Sequence, residues 1–258
     1  MNILLTNDDG IEAEGIAALA EALGAVADVY VFSPKEQKSA SGHSITISKP
    51  IEVREVASPF AVKSFAVDGT PADCVKLGCI IMEKLGAPAD KVVSGANHGM
   101  NLGTDTLYSG TVSAALEGAL CGKPSVAVSV GHRWPTIFEV ARRMAVWAAL
   151  LPLSALGAGE ALNINVPHLP LEDVKGIRAT RLGRMEYEEA FREEESRDGA
   201  RSFYYAGRPS LREGLPLDID IAAHRAGWVT VTPLMVYLTD SRRLEGLGAL
   251  VPKSVLEL

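Results

Sequence analysis

Asn7-Asp8-Asp9-Gly10 sets two carboxylates side by side directly after a short apolar run, Ile3–Thr6. Adjacent carboxylates at a strand end repel each other and favour a counter-cation, and an oxygen-rich site suits Mg²⁺, Mn²⁺ or Ca²⁺. The ordinary alternative is a turn in which Asp9 caps the next helix. Three more polar segments follow apolar runs. Ser39-Ala40-Ser41-Gly42-His43-Ser44 offers hydroxyls for phosphate oxygens or for a metal shell, or is a plain Ser/Gly loop. His43 is a candidate general acid or an ordinary loop histidine. Ser94-Gly95-Ala96-Asn97-His98-Gly99-Met100-Asn101 brings glycines that let backbone approach a ligand and an Asn carbonyl suited to a cation, though Asn and Gly also dominate turns. Tyr108-Ser109-Gly110-Thr111-Val112 opens a helical stretch. Ser-Gly-Thr there is either a phosphate cradle of free amides and hydroxyls or a simple N-cap.

The elements that must carry these segments alternate along the first hundred and fifty residues. Ile16, Leu19, Ala20 and Leu23 recur at helical spacing before Gly24, and Val29–Phe32 is an apolar strand ended by Ser33-Pro34. Helices are expected over Ala72–Leu85, Val112–Leu120 and Phe138–Leu151, and strands at Val92-Val93, Ser125–Val130, Asn163–Pro167 and Thr230–Leu234. Strands apolar on both faces and separated by helices predict an α/β three-layer sandwich with a mostly parallel sheet. In such sheets ligands bind beyond the carboxyl ends of the strands, where all four segments fall. Arg178 to Pro209 is charged, aromatic and without helical period. It reads as projecting hairpins, a candidate subunit-contact arm at about residues 178–225, or as a solvated loop system. One domain over 1–258 with C-terminal β-hairpin extensions is the expectation.

Bulk composition limits the function. Apolar residues make up 47% of 258, enough for a large core and too many for a disordered chain. A net charge of −7 argues against a nucleic-acid polymer as partner, which needs a basic face, but not against a small phosphorylated substrate met by a bound cation. No apolar stretch approaches ~18 residues, so no membrane span is expected. The start has no basic n-region, so a secretory signal is not expected. Cys74, Cys79 and Cys121 lack metal or disulfide spacing and read as buried thiols in a reducing compartment, with cytoplasm the default.

Taken together and in order, the four segments resemble the survival protein SurE family of nucleotidases. Val67-Asp68-Gly69-Thr70-Pro71-Ala72-Asp73-Cys74 and Gly227-Trp228-Val229-Thr230-Val231-Thr232-Pro233-Leu234 extend the likeness over nearly the full length. Trp228 stands where that family usually has Tyr, and 178–209 matches least. The resemblance implies a Rossmann-like core and a 5′-nucleotidase acting on nucleoside monophosphates, in some members also on 3′-monophosphates and short polyphosphate. It implies one Mg²⁺ or Mn²⁺ per subunit on Asp8, Asp9, Ser39 and Asn97, and a homodimer or homotetramer built through C-terminal arms.

On that basis the catalytic residues expected are Asp8 and Asp9, with Ser41, Asn101, Ser109, Gly110 and Thr111 holding phosphate oxygens. Phosphoryl transfer asks mostly for positioning and charge stabilisation, which one cation and neutral donors supply. Asp8 is the candidate proton acceptor. Attack by Asp8 itself, as in haloacid-dehalogenase enzymes, would call for a second acid two residues on, and here it is adjacent. A turnover-free nucleotide sensor would not need the paired acids. A dinucleotide oxidoreductase would need G-x-G-x-x-G after the first strand, and a serine hydrolase G-x-S-x-G; neither motif occurs.

Overall fold

The computed structural model describes residues 1–131, 133–188, 191–195, 201–210 and 214–250. Its strands are β1 (Asn2–Thr6), β2 (Asp28–Pro34), β3 (Val53–Val56), β4 (Lys63–Val67), β5 (Lys91–His98), β6 (Ser125–Val130), β7 (Glu160–Val166), β8 (Ile177–Ala179), β9 (Glu186–Glu188), β10 (Phe191–Glu195), β11 (Arg201–Tyr205), β12 (Arg208–Ser210) and β13 (Val229–Met235). The helices are α1 (Glu14–Gly24), α2 (Pro71–Lys84), α3 (Gly110–Leu120), α4 (Glu139–Leu150), α5 (Asp220–Arg225) and α6 (Ser241–Gly248). Among the described residues, nine strands form one sheet in the order β3-β4-β2-β1-β5-β6-β7-β13-β8. Strands β4, β2, β1, β5, β6 and β7 run parallel, while β3 and β13 pair antiparallel to β4 and β7.

The parallel strands are buried end to end because helices cover both faces. Ile3, Leu5, Val29, Val31, Val93 and Val128 pack against Ile16, Leu19 and Leu23 of α1 and Met144 and Ala148 of α4. On the other face Leu4, Phe32, Phe65 and Val92 meet Val75, Cys79 and Met82 of α2 and Ala114 of α3. Such two-sided burial is why β1, β2 and β6 read as continuous apolar runs rather than alternating ones.

The chain leaves β1 toward β2 on one side and reaches β5 on the other, so the order reverses between β1 and β5. That is the topological switch point at which open α/β sheets bind ligands. Helix α1 closes tightly on this crevice. A Cβ at Gly15 would lie 2.0 Å from the Ala96 carbonyl oxygen, so only glycine lets the helix seat there.

Two features differ from expectation, and the arm takes the hairpin form of the two expected for it. Strand β5 does not end at Val93 but runs on to His98 through a bulge between Gly95 and Asn97. Gly95 has φ +134°, and a Cβ on it would stand 2.2 Å from the Val128 oxygen, so that segment is bulged strand and not turn. The short edge strand β3, its neighbour β4 and helix α5 are additional elements, too brief for a periodic signal. The arm region forms two antiparallel hairpin ladders, β10–β11 and β9–β12, although 189–190, 196–200 and 211–213 within it lie outside the described residues. Among the described residues no helix is long and apolar enough to cross a membrane.

Candidate active site

Asn7 shapes the turn that presents the acids. Its side chain is fully buried, donates from Nδ2 to the Gly10 carbonyl at 2.9 Å and accepts from the Ser33 hydroxyl at 2.5 Å. The turn after β1 is thereby fixed to the end of β2, with Gly10 at φ +101°. Asp8, next along, points into the start of α3, where its carboxylate accepts from the Thr111 hydroxyl and backbone amide. Its carbonyl accepts the Lys38 amide at 2.7 Å, which draws the loop after β2 over the site. Asp9 is half-buried and accepts from Gln37 Nε2 at 3.2 Å and from the His98 amide at 3.0 Å. The two acids are therefore held from three directions, by the β2 loop, the end of β5 and α3.

Burial raises the Asp8 carboxyl to about 6. Thr111 opposes the rise and the charge of Asp9 adds to it. Two neighbouring acids, one of them buried, suit a cation.

Ser39 and Asn97 stand next in the chain to Lys38 and His98, whose amides bind Asp8 and Asp9. Ser39 follows the Lys38 amide that binds Asp8, and Ala40 between Ser39 and Ser41 adopts φ +52°. A non-glycine residue in the left-handed region costs roughly 1–2 kcal/mol, so this kink is held by its surroundings. Asn97 lies just past the β5 bulge, where its Nδ2 donates to the Gly99 carbonyl at 2.8 Å. That bond leaves Oδ1 as the atom available to a cation.

Facing the acids is a small polar hollow. The Ser41 hydroxyl is buried and has no hydrogen-bond partner among the described residues. A Cβ added to Gly110 would lie 2.8 Å from Asp8 Cβ and 2.9 Å from both Asp8 Oδ2 and Ser41 Oγ. Only glycine at 110 lets the first turn of α3 border the hollow this closely, beside the carboxylate and the orphaned hydroxyl. An orphan donor, a buried carboxylate with its neighbouring acid and a helix start that no side chain obstructs fit a divalent cation with its anion.

The remaining expected residues occupy distinct places. The Ser109 hydroxyl accepts from the Val112 amide at 3.1 Å and is the N-cap of α3. Thr111 faces Asp8. Asn101 is buried in a network in which its amide donates to Asn165 Oδ1 at 2.7 Å and its Nδ2 to Ser129 Oγ at 2.8 Å. Its carbonyl accepts from both Asn163 and Asn165. These three thus hold the frame, and Ser41 and Gly110 line the hollow.

Two carboxylates outside the expected set position the 41–47 loop. Asp73 forms a capping box with Thr70 at the start of α2 and also accepts from the Thr46 amide and from its hydroxyl at 2.7 Å. Burial works to raise Asp73, but the Thr70 and Thr46 hydrogen bonds outweigh it and hold the carboxyl below its ordinary value. Glu117, buried on α3, meets His43 at 2.8 Å and Lys76 of α2 at 2.7 Å. There too burial works upward and the bonds from His43 and Lys76 prevail, keeping Glu117 low. The Thr70-x-x-Asp73 spacing is visible in the sequence as a helix start. Nothing in it shows that Asp73 also grips a loop two elements earlier.

The base of the arm is stitched to the loop before α3. Asp220 accepts the Gly103 amide at 2.7 Å and the Gly183 amide at 2.8 Å, and the Tyr187 hydroxyl donates to Asp105. Thr104 Oγ1 accepts the Met185 amide at 3.1 Å.

Known proteins resemble this chain over nearly its whole length. The family model described as survival protein SurE matches residues 3–189. A protein from Syntrophomonas wolfei named 5′-nucleotidase SurE is 42% identical over 247 residues, spanning 95% of this chain and 92% of that one. One of the same name from Desulforudis audaxviator is 44% identical over 254 residues, covering 96% of each chain. The crystal structure of SurE protein from Aquifex aeolicus superposes with a TM-score of 0.82 at 37% identity, covering 97% of this chain and 99% of that one.

Proposed function

The chain belongs to the survival protein SurE family, and from that premise we propose that it is a metal-dependent 5′-nucleotidase, a phosphomonoesterase that converts nucleoside 5′-monophosphates to nucleoside and phosphate. The observation that carries this reading is the orphaned Ser41 hydroxyl beside Gly110 and the buried Asp8 carboxylate, next to a second acid. Asp8, Asp9, Ser39 and Asn97 would hold one Mg²⁺ or Mn²⁺ per subunit. Such an ion supplies Lewis-acid charge to phosphoryl oxygens.

The chain's own groups do the rest. Thr111 and the start of α3 fix one oxygen of Asp8, leaving Oδ2 toward the hollow. The Ser41 hydroxyl and the Gly110 amide donate to the phosphate, and the helix end favours its negative charge. Ser109 and Asn101 keep that turn and the preceding loop in place, so the donors are set before the substrate arrives. Asp8, with one oxygen held by Thr111 and Oδ2 turned toward the hollow, is the group suited to accept a proton from attacking water. Hydrolysis of 3′-monophosphates and short polyphosphate belongs to the same reading, since every donor named addresses phosphate alone.

A homodimer or homotetramer joined through the arms is part of the proposal. Phe191, Phe203 and Tyr205 share one face of the β10–β11 hairpin and Tyr204 lies on the other, each at least half exposed, apolar surface that a second copy would cover. Three free cysteines accord with a reducing compartment and a cytoplasmic location. The deciding experiment measures phosphate release from AMP and the other nucleoside monophosphates, before and after EDTA and with Mg²⁺ or Mn²⁺ restored. Release that EDTA abolishes and the metal restores is expected. No release under any of these metals overturns the reading.

A further inference from the structure

The donors around Asp8 read phosphate and are blind to the base, so the nucleoside must rest on something beyond them. We infer that Trp134 is the platform on which the nucleobase stacks, an inference that rests on the nucleotidase reading above.

Trp134 lies in the loop after β6, the strand beside β5. Its side chain is largely solvent-exposed, at 73%, yet the loop that bears it is braced on both sides. The Thr136 hydroxyl meets His98 Nε2 at 3.0 Å, and His168 Nε2 meets the Pro135 carbonyl at 2.9 Å. The indole stands 6.4 Å from the His98 ring, centroid to centroid, at 49°. His98 in turn donates its backbone amide to Asp9. His98 therefore links the acid pair to an open aromatic face on a loop held by two hydrogen bonds. A nucleoside monophosphate bound by its phosphate at Asp8 and Asp9 must place its base among the loops that ring the acid pair, and this face belongs to one of them.

An exposed indole held on a braced loop leaves a flat apolar surface in water, which a base covers by stacking. Neither other tryptophan offers this. Trp228 is covered by the Arg178 guanidinium at 4.3 Å, and Trp147 lies on α4, away from the switch-point edge. Since every base has a π-face, stacking alone accepts all four and sets a preference for nucleotides over sugar phosphates.

The test compares wild type, W134A and W134F on AMP and on ribose 5-phosphate, which carries no base, with Mn²⁺ present. W134A should raise KM for AMP roughly 5- to 150-fold, the range one stacked base supplies, with kcat and the KM for ribose 5-phosphate unchanged. W134F should restore most of the AMP affinity. In parallel, AMP should quench indole fluorescence in wild type and not in W134F, and ribose 5-phosphate should quench neither. Equal KM changes for both substrates, an unchanged KM for AMP, or a rise seen in Y108A but not in W134A would overturn the assignment. If wild type hydrolyses neither compound the nucleotidase reading falls, while the quenching titration still decides whether Trp134 meets the base.

Discussion

Replacing Gly110 with Ala tests the hollow directly. The added methyl carbon would lie 2.8 Å from Asp8 Cβ and 2.9 Å from Asp8 Oδ2 and Ser41 Oγ, where ordinary contact begins at 3.4 Å. Each contact is short by about 0.5 Å, so the carboxylate or the hydroxyl must move by that much or more. For stability two effects oppose. Gly110 opens α3 without a positive φ, so alanine gains roughly 0.4–1 kcal/mol through the unfolded chain. Overpacking costs about 1–3 kcal/mol. The net is a Tm lower by a few degrees, roughly 2–4 °C per kcal/mol in a chain of this size. Activity responds far more steeply, because a misplacement of about 1 Å costs on the order of 100-fold and the methyl group also takes the volume meant for a phosphate oxygen. Thermal unfolding together with kcat/KM for AMP in saturating Mn²⁺ separates the two. A G110A protein that keeps near-wild-type kcat/KM would refute the placement of the anion.

Two further substitutions probe the frame. T111V keeps the shape of the side chain but removes the hydroxyl that donates to Asp8; the Mn²⁺ concentration for half-maximal activity should rise roughly 10- to 100-fold with little change in Tm, and an unchanged metal requirement would count against Thr111 as the orienting group. D73N weakens the charge-assisted bonds to Thr46 and Thr70 and should cost about 1.5–3 kcal/mol at pH 7. Because the folded carboxyl titrates below its ordinary value, that stabilisation is present above the unfolded pKa and lost as pH falls through the folded one. The Tm gap between wild type and D73N should therefore narrow below about pH 4, and a gap constant from pH 7 to pH 3 would show that the charge is not what Asp73 contributes.

The sheet and its ligand edge were legible because two-sided burial writes itself as apolar runs and because turn residues follow those runs. Asp8 and Asp9 follow β1 and Gly110 opens α3, where such reasoning puts them, whereas Asn97 lies inside β5 past its bulge. Side-chain direction was not legible. Whether Thr111 turns toward Asp8 or toward a ligand depends on how closely α3 approaches β1, which local pattern does not encode. Asn101 belongs to a network with Ser129, Asn163 and Asn165 that exists only once β5, β6 and β7 are neighbours. The work of Asp73 and Glu117 likewise requires α2 and α3 to share one face of the sheet. Trp134 carries no periodic or motif signal, and only its exposure beside His98 distinguishes it.

Asp220 gives the molecule a shared fastening. One oxygen grips the loop that leads to the helix receiving Asp8, and the other grips the root of the arm. If these two anchorages separate by an ångström, one bond must lengthen beyond use, and a fully buried charge is left to bear the loss. Whatever seizes the hairpins from outside thus pulls on the same knot that steadies the chemistry, and substitutions that redesign the arm will register in turnover before they register in assembly.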